Sequence, residues 1–204
     1  MSSAPRPIHD AAAAFDSLPG VGPRAALRYA YWLAAQPKDF IRKFARALDG
    51  MTEGIDQCTT CGTWTETSPC SICIDPKRDT SVLCVIATAQ DVRVLEDSGA
   101  YRGRYHVLGG LIDPIEGRTP DTLSIDKLLA RLQSPNNQVT EVILALDPDV
   151  PGDTTAMYLG RKLANLPLNI TRPARGLQHG SQIEYADGAT LSDALMNRRR
   201  VDKN

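Results

Sequence analysis

The sequence lacks any long apolar run. None of its 204 residues lies in an uncharged stretch approaching the roughly 18 residues that a membrane-spanning helix needs. The first seven residues, Met-Ser-Ser-Ala-Pro-Arg-Pro, also lack the charged and apolar regions of a signal peptide. We therefore expect a cytoplasmic protein with no membrane partner.

The sequence also has almost no net charge. A formal charge of -1 argues against a nucleic-acid partner, because phosphates are neutralised by clustered Lys and Arg. The basic residues are unevenly spread, however: residues 1–48 carry seven basic and three acidic side chains, whereas residues 49–80 carry two basic and six acidic ones. If DNA is bound, the first segment is where contacts are expected.

Histidine is scarce as well. The three histidines, His9, His106 and His179, are far apart and do not form a catalytic or metal-binding constellation. We interpret each as a core or surface residue.

Five cysteines are present, an odd number that does not fit a set of disulfides. Four of them form two Cys-x-x-Cys pairs separated by eight residues: Cys58, Cys61, Cys70 and Cys73. Two such pairs predict a tetrahedral zinc site, and four protein ligands leave no open position, so the zinc should be structural. The alternative is four free or redox-active cysteines. Cys84 lies in the apolar run Val82–Ile86 and is expected in the core.

Hydrophobic periodicity divides the chain into three parts. Apolar residues at helical spacing, interrupted by Pro19-Gly20 and Pro37, predict three helices over 10–17, 23–35 and 38–56. Residues 57–79 are polar and need a metal to fold. Beyond them, strands alternate with helices, which predicts a mostly parallel sheet with helices on both faces. The expected strands are 81–87, 105–108, 141–146 and 168–171, and the expected helices are 90–98, 124–133, 154–166 and 190–198.

The segment Leu18-Pro-Gly-Val-Gly-Pro-Arg24 suits a turn that leads into a helix. Gly20 and Gly22 permit a positive φ, and Pro23 suits the first position of a helix, where free N–H groups favour an anion. Arg24 and Arg28 are four residues apart, so they project from one helix face and can hold neighbouring phosphates. The pattern resembles the helix-hairpin-helix element of DNA-repair proteins. The alternative is a Pro-Gly turn between two helices that only pack together.

A group of carboxylates follows one predicted strand. Asp147, Asp149 and Asp153 lie just past the run Leu144–Leu146, a position at which Mg²⁺ is held for phosphoryl chemistry. The segment resembles the Toprim signature of topoisomerases and primases. Such an enzyme also needs a glutamate at the end of its first strand, where this sequence has Ala87. Bound Mg²⁺ is therefore not the favoured interpretation, and Asp147 and Asp149 are alternatively expected to cap the helix that begins near Thr154 or to shape a surface loop.

The order of these motifs, together with the stretch Tyr101-Arg-Gly-Arg-Tyr-His-Val-Leu-Gly-Gly110, resembles the RecR family of bacterial recombination mediators over nearly the whole chain. The resemblance implies a non-enzymatic DNA repair and recombination protein that binds single- and double-stranded DNA without sequence preference. It further implies a tetrameric ring that works with RecO and RecF proteins to load recombinase at single-stranded gaps. Arg24 and Arg28 match the family's DNA-contacting residues, and the four cysteines match its zinc ligands.

The expected architecture is an α+β protein of several parts. A helix-hairpin-helix domain (1–56) and a four-cysteine zinc finger (57–79) precede a Toprim-like α/β domain (80–175) and a C-terminal loop and helix for subunit contacts (176–204). The sequence departs from the family at the Asp147–Asp153 loop and at Gly176–Gln182, so the RecO interface and the tetramer geometry are expected to differ from the family's more than the DNA contacts do. Two rival functions are a Mg²⁺-dependent nuclease or primase that uses the aspartates, and a protein-interaction adaptor without DNA contact.

Overall fold

The computed structural model describes residues 4–200. The chain forms two compact units, the first ending at Ile55 and the second beginning at Asp56. Residues 1–3 and 201–204, which belong to the first and last predicted segments, lie outside the described residues. No helix in the described part of the chain is both long and apolar enough to cross a membrane.

The first unit is helical. Its elements are α1 (Arg6–Asp16), α2 (Pro23–Ala34) and α3 (Lys38–Gly54). Helices α1 and α2 pack against each other, with Ala26 and Ala30 buried at 1% and 2% exposure. Small side chains at this four-residue spacing lie on one face of α2 and let the two helices approach closely. Helix α3 is amphipathic but buries none of its own residues.

The second unit opens with the cysteine-rich segment. Two short antiparallel strands, β1 (Asp56–Gln57) and β2 (Trp64–Thr65), flank the first cysteine pair. The second pair begins a single helical turn, α4 (Ser71–Ile74). So little regular structure cannot bury an apolar core of its own, and the core of this segment consists of the four cysteines with Ile72 packed against them.

A four-stranded parallel sheet forms the centre of the second unit. The strands are β3 (Val82–Ile86), β4 (Arg104–Val107), β5 (Glu141–Ala145) and β6 (Asn169–Thr171), in the spatial order β4-β3-β5-β6. All pairs are parallel, and β3 pairs with β4 and β5, so that four of its five residues are buried. The central strand is consequently a continuous apolar run, as expected for a strand covered on both faces.

Helices cover both faces of this sheet. One core contains Leu83, Val85 and Val142 with α6 (Ile125–Leu132) and α7 (Val150–Leu163). The other contains Cys84, Ile86 and Tyr105 with α5 (Ala89–Asp97). A last helix, α8, spans Gly188–Met196. The expected fold class is confirmed: a helical N-terminal part, a four-cysteine cluster and an α/β domain with a parallel sheet.

Two helices begin earlier than predicted. Helix α1 starts at Arg6, because Pro5 and Pro7 suit the first positions of a helix, where an N–H group has no intrahelical partner. Helix α7 starts at Val150 instead of Thr154, because Asp149 caps it and Pro151 lies in its first turn. Asp153 is therefore inside the helix and not in the loop before it.

Candidate functional site

The four cysteines converge on one point. Their Sγ atoms all lie within 4.8 Å of one another, and each residue is buried. The Sγ atoms of Cys58 and Cys73 are 3.9 Å apart, and those of Cys61 and Cys70 are 3.7 Å apart. Four thiolates placed 2.3 Å from a central zinc ion have sulfur-sulfur distances of about 3.8 Å. The geometry therefore fits a tetrahedral zinc ion with all four positions filled by protein.

The thiols are electrostatically unequal without a bound cation. Hydrogen bonding from the Cys73 thiol lowers the pKa of Cys61 to about 5, against the opposing effect of burial. The hydrogen bond to Cys61 in turn raises the pKa of Cys73, and burial raises it further. A divalent cation would favour the thiolate form of all four, because metal ligands must be deprotonated.

The cysteine-rich segment 57–79, which we call the knuckle, is attached to the edge of the parallel sheet. The Val107 N–H on edge strand β4 donates to the Cys61 carbonyl over 2.7 Å. Gly62 has a φ of +81°, and a Cβ there would lie 3.3 Å from the Val107 carbonyl oxygen. A larger residue at this position would therefore be both strained and crowded. The contact pairs the edge of β4 at Val107 and attaches the four-cysteine cluster to the α/β domain.

Arg131 on α6 adds a second attachment that the sequence did not indicate. Its Nη1 donates to the Tyr105 carbonyl on β4 at 2.8 Å and to the Thr60 carbonyl in the knuckle at 3.3 Å. Burial lowers the pKa of Arg131, while the nearby cysteines raise it. A zinc ion held by four thiolates would carry a net charge of -2, which the half-buried Arg131 guanidinium would help to balance.

The predicted hairpin joins α1 to α2. Gly20 has the expected positive φ of 76°, whereas Gly22 is extended and occupies the N-cap of α2. The first intrahelical bond runs from the Ala26 N–H to the Gly22 carbonyl at 3.0 Å. The N–H groups of Arg24 and Ala25 precede it and point out of the helix start, where the dipole favours an anion.

Arg24 and Arg28 are both exposed on α2. The Arg28 guanidinium lies 5.3 Å from the centre of the Tyr29 ring, which orients it without neutralising it. Neither arginine pairs with a carboxylate in the part of the chain that the structure describes. The hairpin thus offers two amides and two uncompensated guanidinium groups on one short surface.

The three aspartates have different surroundings. Asp149 caps α7 by accepting a hydrogen bond from the Gly152 N–H at 2.8 Å. Asp153 binds Arg175 and Arg172, the latter at 2.7 Å, and these two arginines lower its pKa to about 2. Among residues 4–200, the four cysteines are the one group of three or more potential ligands close enough to share an ion.

The end of the first strand carries no catalytic carboxylate. Ala87 is buried at 4% exposure, and its carbonyl accepts the Gly109 N–H at 3.0 Å. The position at which a Toprim enzyme needs a glutamate is therefore a packed methyl group. Neither a general acid nor a metal ligand is available from this strand end.

Comparison with known proteins agrees with this arrangement. Residues 8–52 match the RecR helix-hairpin-helix model, residues 81–174 match a Toprim domain model and residues 179–199 match the RecR C-terminal model. Recombination protein RecR of Thermobifida fusca is 46% identical over 185 residues, covering 91% of this chain and 92% of its own. The protein of the same name from Treponema denticola is 47% identical over 185 residues, covering 90% and 93%. The chain therefore belongs to the RecR family, with a role in recombinational DNA repair.

Proposed function

We propose that this protein is a non-catalytic, sequence-independent DNA-binding protein that helps to load recombinase at single-stranded gaps. The observation that carries the proposal is the hairpin, where two helix-start amides and two exposed, unpaired arginines share one surface. Such groups bind the phosphate backbone, which is the same in every sequence. The rival adaptor without DNA contact gives no reason for this arrangement.

The absence of catalysis is part of the proposal. Of the three aspartates, one caps a helix and one is held by two arginines. The first strand ends in Ala87 where an acid or base would be needed. Metal-dependent nicking or primer synthesis by the purified protein, abolished by Asp147→Asn, would contradict the proposal and favour a Toprim enzyme.

One hairpin contacts few phosphates, so useful affinity requires several copies. We propose a homo-oligomer, a tetrameric ring, in which linked hairpins bind one DNA molecule together. The apolar face of α3 supports self-association. Five large apolar side chains on this face are between 36% and 58% exposed: Phe40, Ile41, Phe44, Leu48 and Met51. A soluble protein rarely leaves so large an apolar patch in contact with water.

Loading recombinase also requires partners. By the family resemblance, we propose RecO- and RecF-type proteins, with the parallel-sheet domain and the C-terminal segment as contact regions. Because the loop Gly176–Gln182 departs from the family pattern, we expect the contacts of the C-terminal segment to differ most from those of other family members.

The DNA-binding part is tested by equilibrium binding of the full chain to labelled single- and double-stranded oligonucleotides of unrelated sequence. Arg24→Gln combined with Arg28→Gln should weaken binding on every sequence. For single strands it should flatten the plot of log affinity against log salt by about 1.4 per engaged protomer, roughly 0.7 for each lost phosphate contact.

The matched control is Arg93→Gln with Arg161→Gln, which removes the same charge from exposed positions in the second unit. This control should bind as the parent protein does. Equal DNA affinity of the hairpin variant and the control would contradict the proposal.

A further inference from the structure

Two clefts meet on the second unit, between α6, edge strand β4 and the cysteine knuckle. Their volumes are about 410 Å³ and 480 Å³, and both are lined by Ala130 and Arg131. The first extends past Lys127 and His106 towards the knuckle, and the second extends past Arg104. We call the two together the α6 trough. It shares no residue with the hairpin.

The α6 trough is cationic throughout. Arg104, Lys127 and Arg131 line it, and no acidic residue does. Within residues 4–200 none of the three pairs with a carboxylate, in contrast to Arg78, Arg172 and Arg175 of the same unit. Because Arg131 also faces the cysteine cluster, Arg104 and Lys127 are the two positive charges left without an opposing one, and such charges at one place indicate an anion site.

Strand β4 contributes a second, independent observation. Two buried side-chain atoms in the described part of the chain lack a hydrogen-bond partner, Nε of Arg104 and Nδ1 of His106. These residues are two apart, so both face the α6 side of the edge strand, and both line the trough. Buried polar groups are nearly always paired, and a bound ion or an ordered water is one partner that an unpaired group can take.

The histidine is neutral and acts as an acceptor. Its Nε2 lies 2.9 Å from the Ser124 carbonyl, which only accepts, so Nε2 carries the proton. Nδ1 is therefore the acceptor, and burial lowers the pKa of His106 to about 4, which keeps it so. The trough thus combines cations, which attract a phosphate, with one buried acceptor. A phosphate oxygen cannot donate to that acceptor, but a water molecule bound to the phosphate can.

We propose that the α6 trough is a second binding surface for the phosphate backbone of a nucleic-acid strand. Its remaining lining is rich in hydroxyl and amide donors, including Thr59, Asn136 and Gln138, which are the neutral side chains that contact phosphates. No Phe, Tyr or Trp lines it and the one ring present, that of His106, is buried, so the trough offers no stacking platform for bases. The choice of nucleic acid as the ligand rests on the proposed function, but the trough residues are entirely different from those of the hairpin.

The test uses Lys127→Glu in the full chain, with Lys77→Glu as the control. Both lysines are exposed, and Lys77 lies outside the trough. Arg131 is left unchanged because it holds the knuckle. Lys127→Glu should weaken binding of a single-stranded oligonucleotide several-fold and flatten its salt dependence, whereas Lys77→Glu should not. Arg104→Gln, checked by thermal unfolding, should add to the effect of Lys127→Glu.

The outcomes separate this inference from the proposed function. If Lys127→Glu and Lys77→Glu bind alike while the hairpin variant loses affinity, the trough is not a DNA surface and the proposed function stands. If inorganic phosphate protects the parent protein from thermal unfolding but an oligonucleotide at equal phosphate concentration does not, the trough holds a free anion and the inference is overturned. If Lys127→Glu binds DNA normally but no longer binds a RecO-type protein, the trough is a surface for an acidic protein and the inference is overturned.

Discussion

At the residue scale, Gly152 links the Asp147 loop to α7 through close packing. A Cβ built at Gly152 would lie 2.0 Å from the Asp147 carbonyl oxygen, which belongs to the backbone and cannot swing away. Gly160 lies in the same helix with nothing within 4 Å of its Cβ position. The two glycines therefore have opposite expected responses to the same substitution.

We expect Gly152→Ala to lower the free energy of unfolding by about 2 kcal/mol or more, because the backbone must move to accept the methyl group. Gly160→Ala should raise it by roughly 0.5–1 kcal/mol, because alanine is the better helix former. Chemical denaturation of the two variants measures both values. Equal effects would show that the Asp147 loop does not pack as described.

Glu96 on α5 is the centre of a polar network that joins Arg78 to Tyr105 on strand β4. Both guanidinium Nη atoms of Arg78 donate to it, and the buried Tyr105 hydroxyl donates to it at 2.6 Å. The hydrogen bonds from Arg78 hold the pKa of Glu96 below its ordinary value. A carboxylate with a lowered pKa contributes stability that is present above its unfolded-state pKa and is lost as pH falls through the folded one.

Glu96→Gln should accordingly cost about 2–3 kcal/mol at neutral pH, less than a fully buried pair because Glu96 is 28% exposed. The free energy of unfolding of the Glu96→Gln variant should also fall less than that of the parent protein when the pH drops below about 4.5. Asp97→Asn is the control on the same helix: its pair with Arg93 is exposed and should contribute under about 1 kcal/mol. Parallel pH profiles for Glu96→Gln and the parent would contradict the role of the network.

Residue identities were predictable where chemistry follows from local spacing. The clustering of the four cysteines and the exposure of Arg24 and Arg28 on one helix belong to this group, because ligand sets and helix faces repeat over a few residues. That these arginines contact DNA stays a prediction. Arg131 and Glu96 were not predictable. Arg131 reaches Thr60, 71 positions away in sequence, and no local pattern records such a contact.

At the element scale, we expect the folding of the knuckle to depend on a bound metal ion. Cys70→Ser should abolish stoichiometric zinc binding and lower the free energy of unfolding of the second unit by several kcal/mol, because metal binding supplies the folding energy of such a segment. The helical signal of the first unit should remain. Zinc analysis and thermal unfolding monitored by circular dichroism check both points.

Cys84→Ala is the control for this variant. Cys84 is equally buried, at 3% exposure, but lies in the sheet core. It should destabilise the protein moderately while retaining one zinc ion per chain. A Cys70→Ser protein that kept full zinc content and thermal stability would refute the assignment of the four cysteines.

The four strands of the parallel sheet and most helices were predictable at this scale because their apolar residues form short runs or recur at helical spacing. Strands β1 and β2 were not predicted, because two-residue strands in a polar segment leave no such pattern. Helix α7 was predicted four residues late, since Val150-Pro-Gly-Asp153 looks like a loop when read alone. Its cap becomes evident once Asp149 is seen to accept the Gly152 N–H. The carboxylates that suggested a metal site in the sequence are thus partly used to begin a helix.

At the scale of the whole molecule, self-association is expected to depend on α3. Leu48→Glu places a charge in the middle of its exposed apolar face and should reduce the mass measured in solution by light scattering. Arg46→Gln changes the net charge by the same amount on the opposite face and should leave the mass unchanged. An unaltered mass for Leu48→Glu would show that α3 is not the subunit contact.

The most direct measurement of the central claim is recombinase loading on gapped DNA in the presence of RecO- and RecF-type partners. The parent protein should accelerate filament formation at the gap without nicking the DNA, and Arg93→Gln with Arg161→Gln should behave as the parent does. Arg24→Gln with Arg28→Gln should lose the acceleration while keeping its zinc and its fold. Loading at the parental rate by the hairpin variant would contradict the account.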